Sequence, residues 1–231
     1  MRNKALLSLI LLSMLPSAQA LTQPINGTYV GFTIGPSYIP PMENLLLPLE
    51  STIRGNDNVL SITAIYPSIG GNLGMQVGRR FNERYRLEAE FLTAYSTITK
   101  LTTIVSGTSS SSIHGYISTF GAFMVNAYVD LIPSKGDYHR ASPYFGIGVG
   151  QAYVAVKAEA YDDDTFITNL LKVKQSTSVV QAVFGSSFFL DDYTSLGVEY
   201  RMQKYGEMEA LGGGYTQHNI NITMKFMLDD S

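Results

Sequence analysis

Arg80, Arg86, Glu88, Glu90, Asp130, Glu199, Arg201 and Lys225 are the side chains most able to do chemistry together. Arg86, Glu88 and Glu90 are spaced by two, as are Glu199 and Arg201, so in extended chain each set shares one face. Four of the eight are basic and four acidic, so gathered in one interior they would neutralise one another. That is the condition under which buried charge is tolerated, because an isolated buried charge is strongly penalised. Two chemistries suit such a layer: a self-paired polar plug, or a hydrated path for ions and small solutes.

The other reactive groups are sparse. Only three histidines occur, His114, His139 and His218. His114 and His218 fall in or beside long connections, where they could join Asp162, Asp163 and Asp164 in surface hydrolysis, but no motif sets the geometry that such catalysis needs. Ser112 and His114 border a Ser-rich tract that reads as loop. The Asp162–Asp164 run lacks the spaced ligands of a calcium loop and reads as solvated charge. There is no cysteine, which excludes disulfides, thiolate metal sites and a cysteine nucleophile. No enzyme activity, cofactor or metal is expected.

The elements that must position the charges begin after a leader. Arg2 and Lys4 precede an apolar run from Ala5 to Leu15, then Pro16 and the triplet Ala18-Gln19-Ala20. This pattern predicts a secretory signal peptide over residues 1–20 and a barrel domain over 21–231. The apolar run of eleven residues is shorter than the ~20 that a membrane-spanning helix needs. Two of the 16 Lys and Arg fall in the leader, leaving 14 against 19 acidic residues and a formal charge of −5. A nucleic-acid partner gets no support from that balance.

Mean hydropathy is only +0.07, yet 21 Gly, 15 Tyr and 11 Phe accompany a charged fraction of 15%. Alternation along strands reconciles these numbers. Ile220, Ile222, Met224, Phe226 and Leu228 fall on one face, opposite Asn219, Asn221, Thr223 and Lys225. Leu196, Val198, Tyr200 and Met202 oppose Gly197, Glu199, Arg201 and Gln203 in the same way. The pattern recurs at 29–35, 73–80, 86–91, 123–131 and 145–150. Residues 177–190 are less clean, because Val179 and Val183 share the face of Gln181 and Gly185. Short connections at 82–84 and 191–194 and a moderate one at 133–143 contrast with long ones at about 40–67, 100–115, 160–176 and 206–217.

An all-β protein follows: an eight-stranded antiparallel up-and-down transmembrane β-barrel, with short periplasmic turns and four long extracellular loops. A periplasmic lipocalin-like barrel alternates equally well but is apolar inside. Glycine and mutually compensating charges on the polar face place that face inward, in a narrow lumen. All eight charges then fall toward the periplasmic half, where a barrel barely wide enough for its own side chains favours the plug.

The chain resembles small outer-membrane barrels of the outer membrane protein A and opacity type, especially the rickettsial major surface antigen family. The resemblance is carried by Tyr29-Val-Gly-Phe-Thr-Ile-Gly-Pro-Ser-Tyr38, Tyr85-Arg-Leu-Glu-Ala-Glu-Phe91, Ser142-Pro-Tyr-Phe-Gly-Ile-Gly-Val-Gly150 and Leu196-Gly-Val-Glu-Tyr-Arg201. It implies integral residence in the bacterial outer membrane after Sec-type export, outer-membrane lipid as a partner, and surface loops that contact a host surface protein or another envelope component. A small-solute porin-like channel is the alternative, an outer-membrane hydrolase a third reading. Asn219, Met224 and Phe226 look like the C-terminal signal read by the barrel-assembly machinery, with Asn221 where glycine is usual. Leu45, Leu46, Leu47 and Leu49 form an apolar cluster in the first long connection, suited to a contact surface or to packing over the barrel mouth.

Overall fold

The computed structural model describes residues 27–49, 60–81, 84–104, 112–131, 141–162, 165–190, 193–208, 211 and 213–228. The leader expected over 1–20 lies outside them, as do His139, Asp163 and Asp164. Every alternating segment is a strand. In chain order these are β1 (Gly27–Tyr38), β2 (Met42–Leu49), β3 (Leu60–Pro67), β4 (Gly70–Phe81) and β5 (Tyr85–Ile104). They are followed by β6 (Ser112–Asp130), β7 (Ala141–Asp162), β8 (Thr165–Phe189), β9 (Thr194–Tyr205) and β10 (Thr216–Leu228).

Eight of them close on themselves. The hydrogen-bonded order β5-β4-β1-β10-β9-β8-β7-β6 returns to β5 through the β5–β6 pairing, and the pairings are antiparallel. Closure leaves no edge in the ring, so backbone groups are satisfied internally, as lipid requires. Pairing partners followed from His218 through Met202, Ala182, Ile147, Ala127, Leu87, Arg79 and Thr28 return to β10 at Leu228, ten residues on. With a rise of ~3.3 Å and strand spacing of ~4.8 Å, that shear sets a tilt of about 40° and a backbone radius of about 8 Å. The wall between those two positions is then about 25 Å tall, the height of the apolar band of outer-membrane barrels.

The outer surface matches that band. Phe32, Ile34, Leu73, Met75, Val77, Val125, Ile147, Val149, Val198 and Ile222 are all exposed. Tyr38, Tyr95 and Tyr153 ring its upper edge, and Phe81, Tyr85, Phe188 and Tyr193 its lower edge, as aromatic girdles do. Polar partners on the same strands are buried, so the apolar-inside lipocalin arrangement does not apply.

The long connections contain more strand than their sequence suggests. β2 and β3 form a hairpin within the segment 40–67, and β3 continues the sheet by pairing with the upper part of β5. β5 to β8 run 19 to 25 residues, against 12 or 13 for β1, β4, β9 and β10. Their upper halves therefore project beyond the band as a β-sheet on the side of the long connections.

Candidate functional site

Strand alternation carries all eight charges into the lumen: Arg80 on β4, Arg86, Glu88 and Glu90 on β5, Asp130 on β6, Glu199 and Arg201 on β9, and Lys225 on β10. None is more than 6% exposed. They form two linked groups. Arg80 and Arg86 each reach one carboxylate oxygen of Asp130 at 3.0 Å. Glu88 accepts from Lys225 Nζ and from the Tyr29 hydroxyl, both at 2.5 Å, and lies 3.8 Å from Arg86. Higher in the lumen, Arg201 is held between Glu90 and Glu199, and Glu199 also accepts from the Tyr144 hydroxyl at 2.8 Å. The Arg86 guanidinium lies over Tyr128 and Tyr144, 5.0 and 4.4 Å from the ring centroids, and Lys225 sits 5.1 Å from that of Tyr29. Such cation–π contacts suit cations stripped of water.

The tyrosines explain the glycines. Tyr29, Tyr128 and Tyr144 point into the lumen, each directly across the ladder from a glycine: Gly78, Gly146 and Gly185 respectively. A Cβ at Gly146 would lie 2.2 Å from the Tyr128 ring, and one at Gly78 or Gly185 would lie 2.5 Å from its tyrosine. Each ring thus lies flat over the next strand, where only a hydrogen leaves room. Tyr128 cannot withdraw easily, since it meets Tyr144 edge-on at 5.7 Å and Arg86 on its face. Gly146→Ala is therefore expected to cost ~1–3 kcal/mol through overpacking. Urea unfolding of the micelle-folded protein checks this, and an unchanged midpoint would show that the Tyr128 ring moves freely.

Above the charges runs a chain of carboxamides that sequence reasoning did not assemble. Asn126, Gly148, Gln181, Gln203 and Gln217 are successive ladder partners across β6 to β10. Asn219 donates to Gln203 at 2.9 Å, Gln203 to Gln181 at 3.1 Å, Gln181 to Asn126 at 2.6 Å, and Asn126 to Glu90 at 2.8 Å. Asn72 extends the chain from β4, donating to Asn219 at 3.4 Å, and also donates to Asn221 at 2.9 Å. Its links point one way, toward the carboxylate of Glu90, so each bond polarises the next. Gly148 lets Gln181 reach Asn126, because a Cβ there would meet Asn126 Oδ1 at 1.9 Å. The available signal was an amide on the polar face of consecutive strands; register, which aligns them, was not readable.

Higher still, the interior becomes apolar. Leu92, Ala122, Met124, Ala152, Val154 and Val179 form a buried core with Ile98, Ile117 and Val156 from the projecting sheet. Ile39 and Ile65 close it on one side. The β9–β10 connection turns inward over it, with Met208, Leu211 and Tyr215 buried and Tyr215 stacked on Tyr205 at 4.4 Å. Val179 and Val183, the residues that blurred the alternation in 177–190, point inward and belong to this core and to the Tyr128–Tyr144 cluster respectively. The lumen is thus filled in three tiers: charges, amides and an apolar cap.

The remaining candidates are scattered. Asn219 is buried in the amide chain, whereas Met224 is exposed on the outer face and Phe226 is half-buried. Leu45, Leu46, Leu47 and Leu49 lie in β2, and their side chains are outside those described. His114 is placed in β6 opposite Glu159 along the backbone, with its side chain likewise outside those described. His218 neighbours Tyr38 and Tyr200, and the side chain of Asp162 lies outside those described. Among the described residues, no three His, Cys, Asp or Glu side chains are grouped to hold a metal ion.

The family profile described as "outer membrane protein beta-barrel domain" matches residues 5–227. A search of curated proteins finds no match. Among solved structures, Neisserial surface protein A is 12% identical with a TM-score of 0.47, over 87% of this chain and 97% of that one. Ail, the attachment invasion locus protein of Yersinia pestis, is 12% identical with a TM-score of 0.42, over 87% and 99%. OprG from Pseudomonas aeruginosa is 14% identical with a TM-score of 0.41, over 92% and 100%.

Proposed function

This chain belongs to the outer membrane protein beta-barrel domain family and is an integral outer-membrane protein, and from that premise we propose that it acts outside the membrane, as a non-enzymatic contact protein with a closed lumen. The observation that carries this reading is the three-tiered filling of the interior, which leaves the projecting sheet as the surface available for work. An eight-stranded wall holds little beyond its own side chains. Here the described interior positions are taken by paired charges, amides and apolar residues, with small hydroxyl residues such as Thr33, Ser37 and Ser142 and the unbonded amide of Gln76 between them and the β9–β10 connection folded over them. The sheet built from β2, β3 and the upper parts of β5 to β8 is then the contact surface for a host surface protein or an envelope component, with the β2 leucines Leu45, Leu46, Leu47 and Leu49 at its margin. The last strand, through Asn219, Met224 and Phe226, serves the barrel-assembly machinery.

Planar-bilayer recordings of the refolded protein test the closed lumen. No stable unit conductance is expected, and reproducible unitary steps would favour the porin-like reading. Deleting residues 42–67 with a short replacement turn tests the contact role. Cells carrying the variant should lose attachment to host-cell monolayers while the barrel keeps its heat-sensitive gel mobility; undiminished attachment would remove the hairpin from the proposal.

A further inference from the structure

One margin of the projecting sheet is an open strand edge. β8 pairs with β7 from Thr165 to Phe188, but with β9 only from Val179 to Phe189. β9 ends at Tyr205, and the chain then turns inward: Gly206 donates its amide to the Ser178 carbonyl at 2.8 Å, and Met208 and Leu211 are buried in the apolar cap. Above Ser178, no described strand pairs with β8 on that side. Such a row of backbone donors and acceptors is a template for a further strand.

The register fixes which groups are presented there. Pairing with β7 is regular from Leu171 to Phe188, without a bulge. Backbone groups alternate sides along a strand, and the Ser178 carbonyl faces the β9 side, so Ser176, Lys174 and Lys172 turn their N–H and C=O groups to the open edge. Val173, Gln175 and Thr177 face β7 instead, opposite Val156, Val154 and Ala152. Lys174 and Ser176 are exposed on the outer face, and Thr177 is buried on the inner one. Lys157 on β7 is the register partner of Lys172, so Lys157, Lys172 and Lys174 are close neighbours on the ladder. The margin stays positive once Glu159, opposite Asn169, is counted.

We propose that this edge binds an extended segment of a partner protein in which acidic residues alternate with apolar ones, added antiparallel as a strand beside Lys172, Lys174 and Ser176. The inference rests on the projecting sheet being the contact surface, and it names the partner's chemistry. Main-chain hydrogen bonds supply attachment and side chains supply choice. On the outer face the acidic residues meet the lysines, and on the inner face the apolar residues continue the layer that holds Ile117 and Val156. A second copy of this chain is the poorer occupant, because pairing two β8 edges antiparallel sets lysine beside lysine, and like charges across a ladder are unfavourable.

A fluorescent peptide of alternating glutamate and valine, titrated into the micelle-folded protein, tests the edge. Anisotropy should rise, and amide exchange at Lys172, Lys174 and Ser176 should slow, while the amides of Val173 and Gln175 stay unchanged. Methylating the glutamate nitrogens, which face β8 when glutamate lies across from lysine, should abolish binding; methylating the valine nitrogens should not. Lys174→Glu should weaken the peptide about tenfold, one attraction being exchanged for one repulsion, and should keep heat-sensitive gel mobility. Equal binding of a scrambled peptide of the same composition, or indifference to which nitrogens are methylated, would reduce the margin to a polyanion patch and overturn strand addition. No binding of the alternating peptide, while cells carrying the protein still attach to host-cell monolayers, would overturn the edge and leave the contact role standing. Peptide binding without cell attachment would keep the edge and remove the host as its partner.

Discussion

Arg201→Met should destabilise the folded barrel by ~3–5 kcal/mol, the cost of leaving buried charge without its partner. Arg201 is 0% exposed and is the cation between Glu90 and Glu199. Its removal leaves two carboxylates facing each other in a space that methionine fills but cannot neutralise. Glu90 would retain only amide donors, from Asn126 at 2.8 Å and Gln181 at 3.3 Å, and Glu199 only the Tyr144 hydroxyl. The sign of a second substitution separates charge from packing. Adding Glu90→Gln and Glu199→Gln to Arg201→Met should recover much of the loss, since well-packed neutral groups can replace a buried ion set at little cost. Urea unfolding in micelles reads both variants. If the triple variant is no more stable than Arg201→Met alone, the layer acts through shape and not through charge balance.

The sequence and the structure agree best where one rule governs both faces of a strand. Along β9, and along β10 as far as Phe226, each apolar residue has a polar or glycine neighbour, and only one placement satisfies lipid outside and a narrow lumen within. Alternation could not say which charge meets which. Arg80 and Arg86 share Asp130 because β4, β5 and β6 stand in a particular register, and register depends on turns and bulges that side-chain period does not encode. The Tyr128–Gly146 pair and the amide row across β6 to β10 were hidden for the same reason. The apolar cap was hidden for another: where an interior position changes from polar to aliphatic, as from Gln181 to Val179 on β8, both faces read as apolar and the period fades. The β2–β3 hairpin lies between prolines at 40, 41 and 67, with Pro48 inside it, and proline together with the unalternating Leu45-Leu46-Leu47 argues for loop. β3 is nevertheless recruited by the upper part of β5, a long-range partner that local propensity does not report.

Val198→Arg should have the opposite character to Arg201→Met, although the residues are three apart on one strand. Val198 is 50% exposed on the outer wall, opposite Ser186 and Ile222 on its two neighbouring strands. Counting down β10 from His218 to Leu228, its partner Ile222 lies four residues from the upper end of a ten-residue band, close to the middle. Arginine there meets hydrocarbon and should cost ~2–4 kcal/mol, less if its guanidinium reaches the interface. The penalty belongs to the lipid, so it should shrink when the same variant is unfolded from short-chain detergent micelles, whereas the Arg201→Met penalty should not change. Because the chain contains no cysteine, single-cysteine variants can map the faces without background. Positions 196, 198, 200 and 202 should react with a bilayer-soluble maleimide in liposomes, and 197, 199, 201 and 203 should stay protected. Labelling at 199 or 201 with protection at 198 would invert the barrel, placing the charges toward lipid and removing the basis for a closed polar lumen.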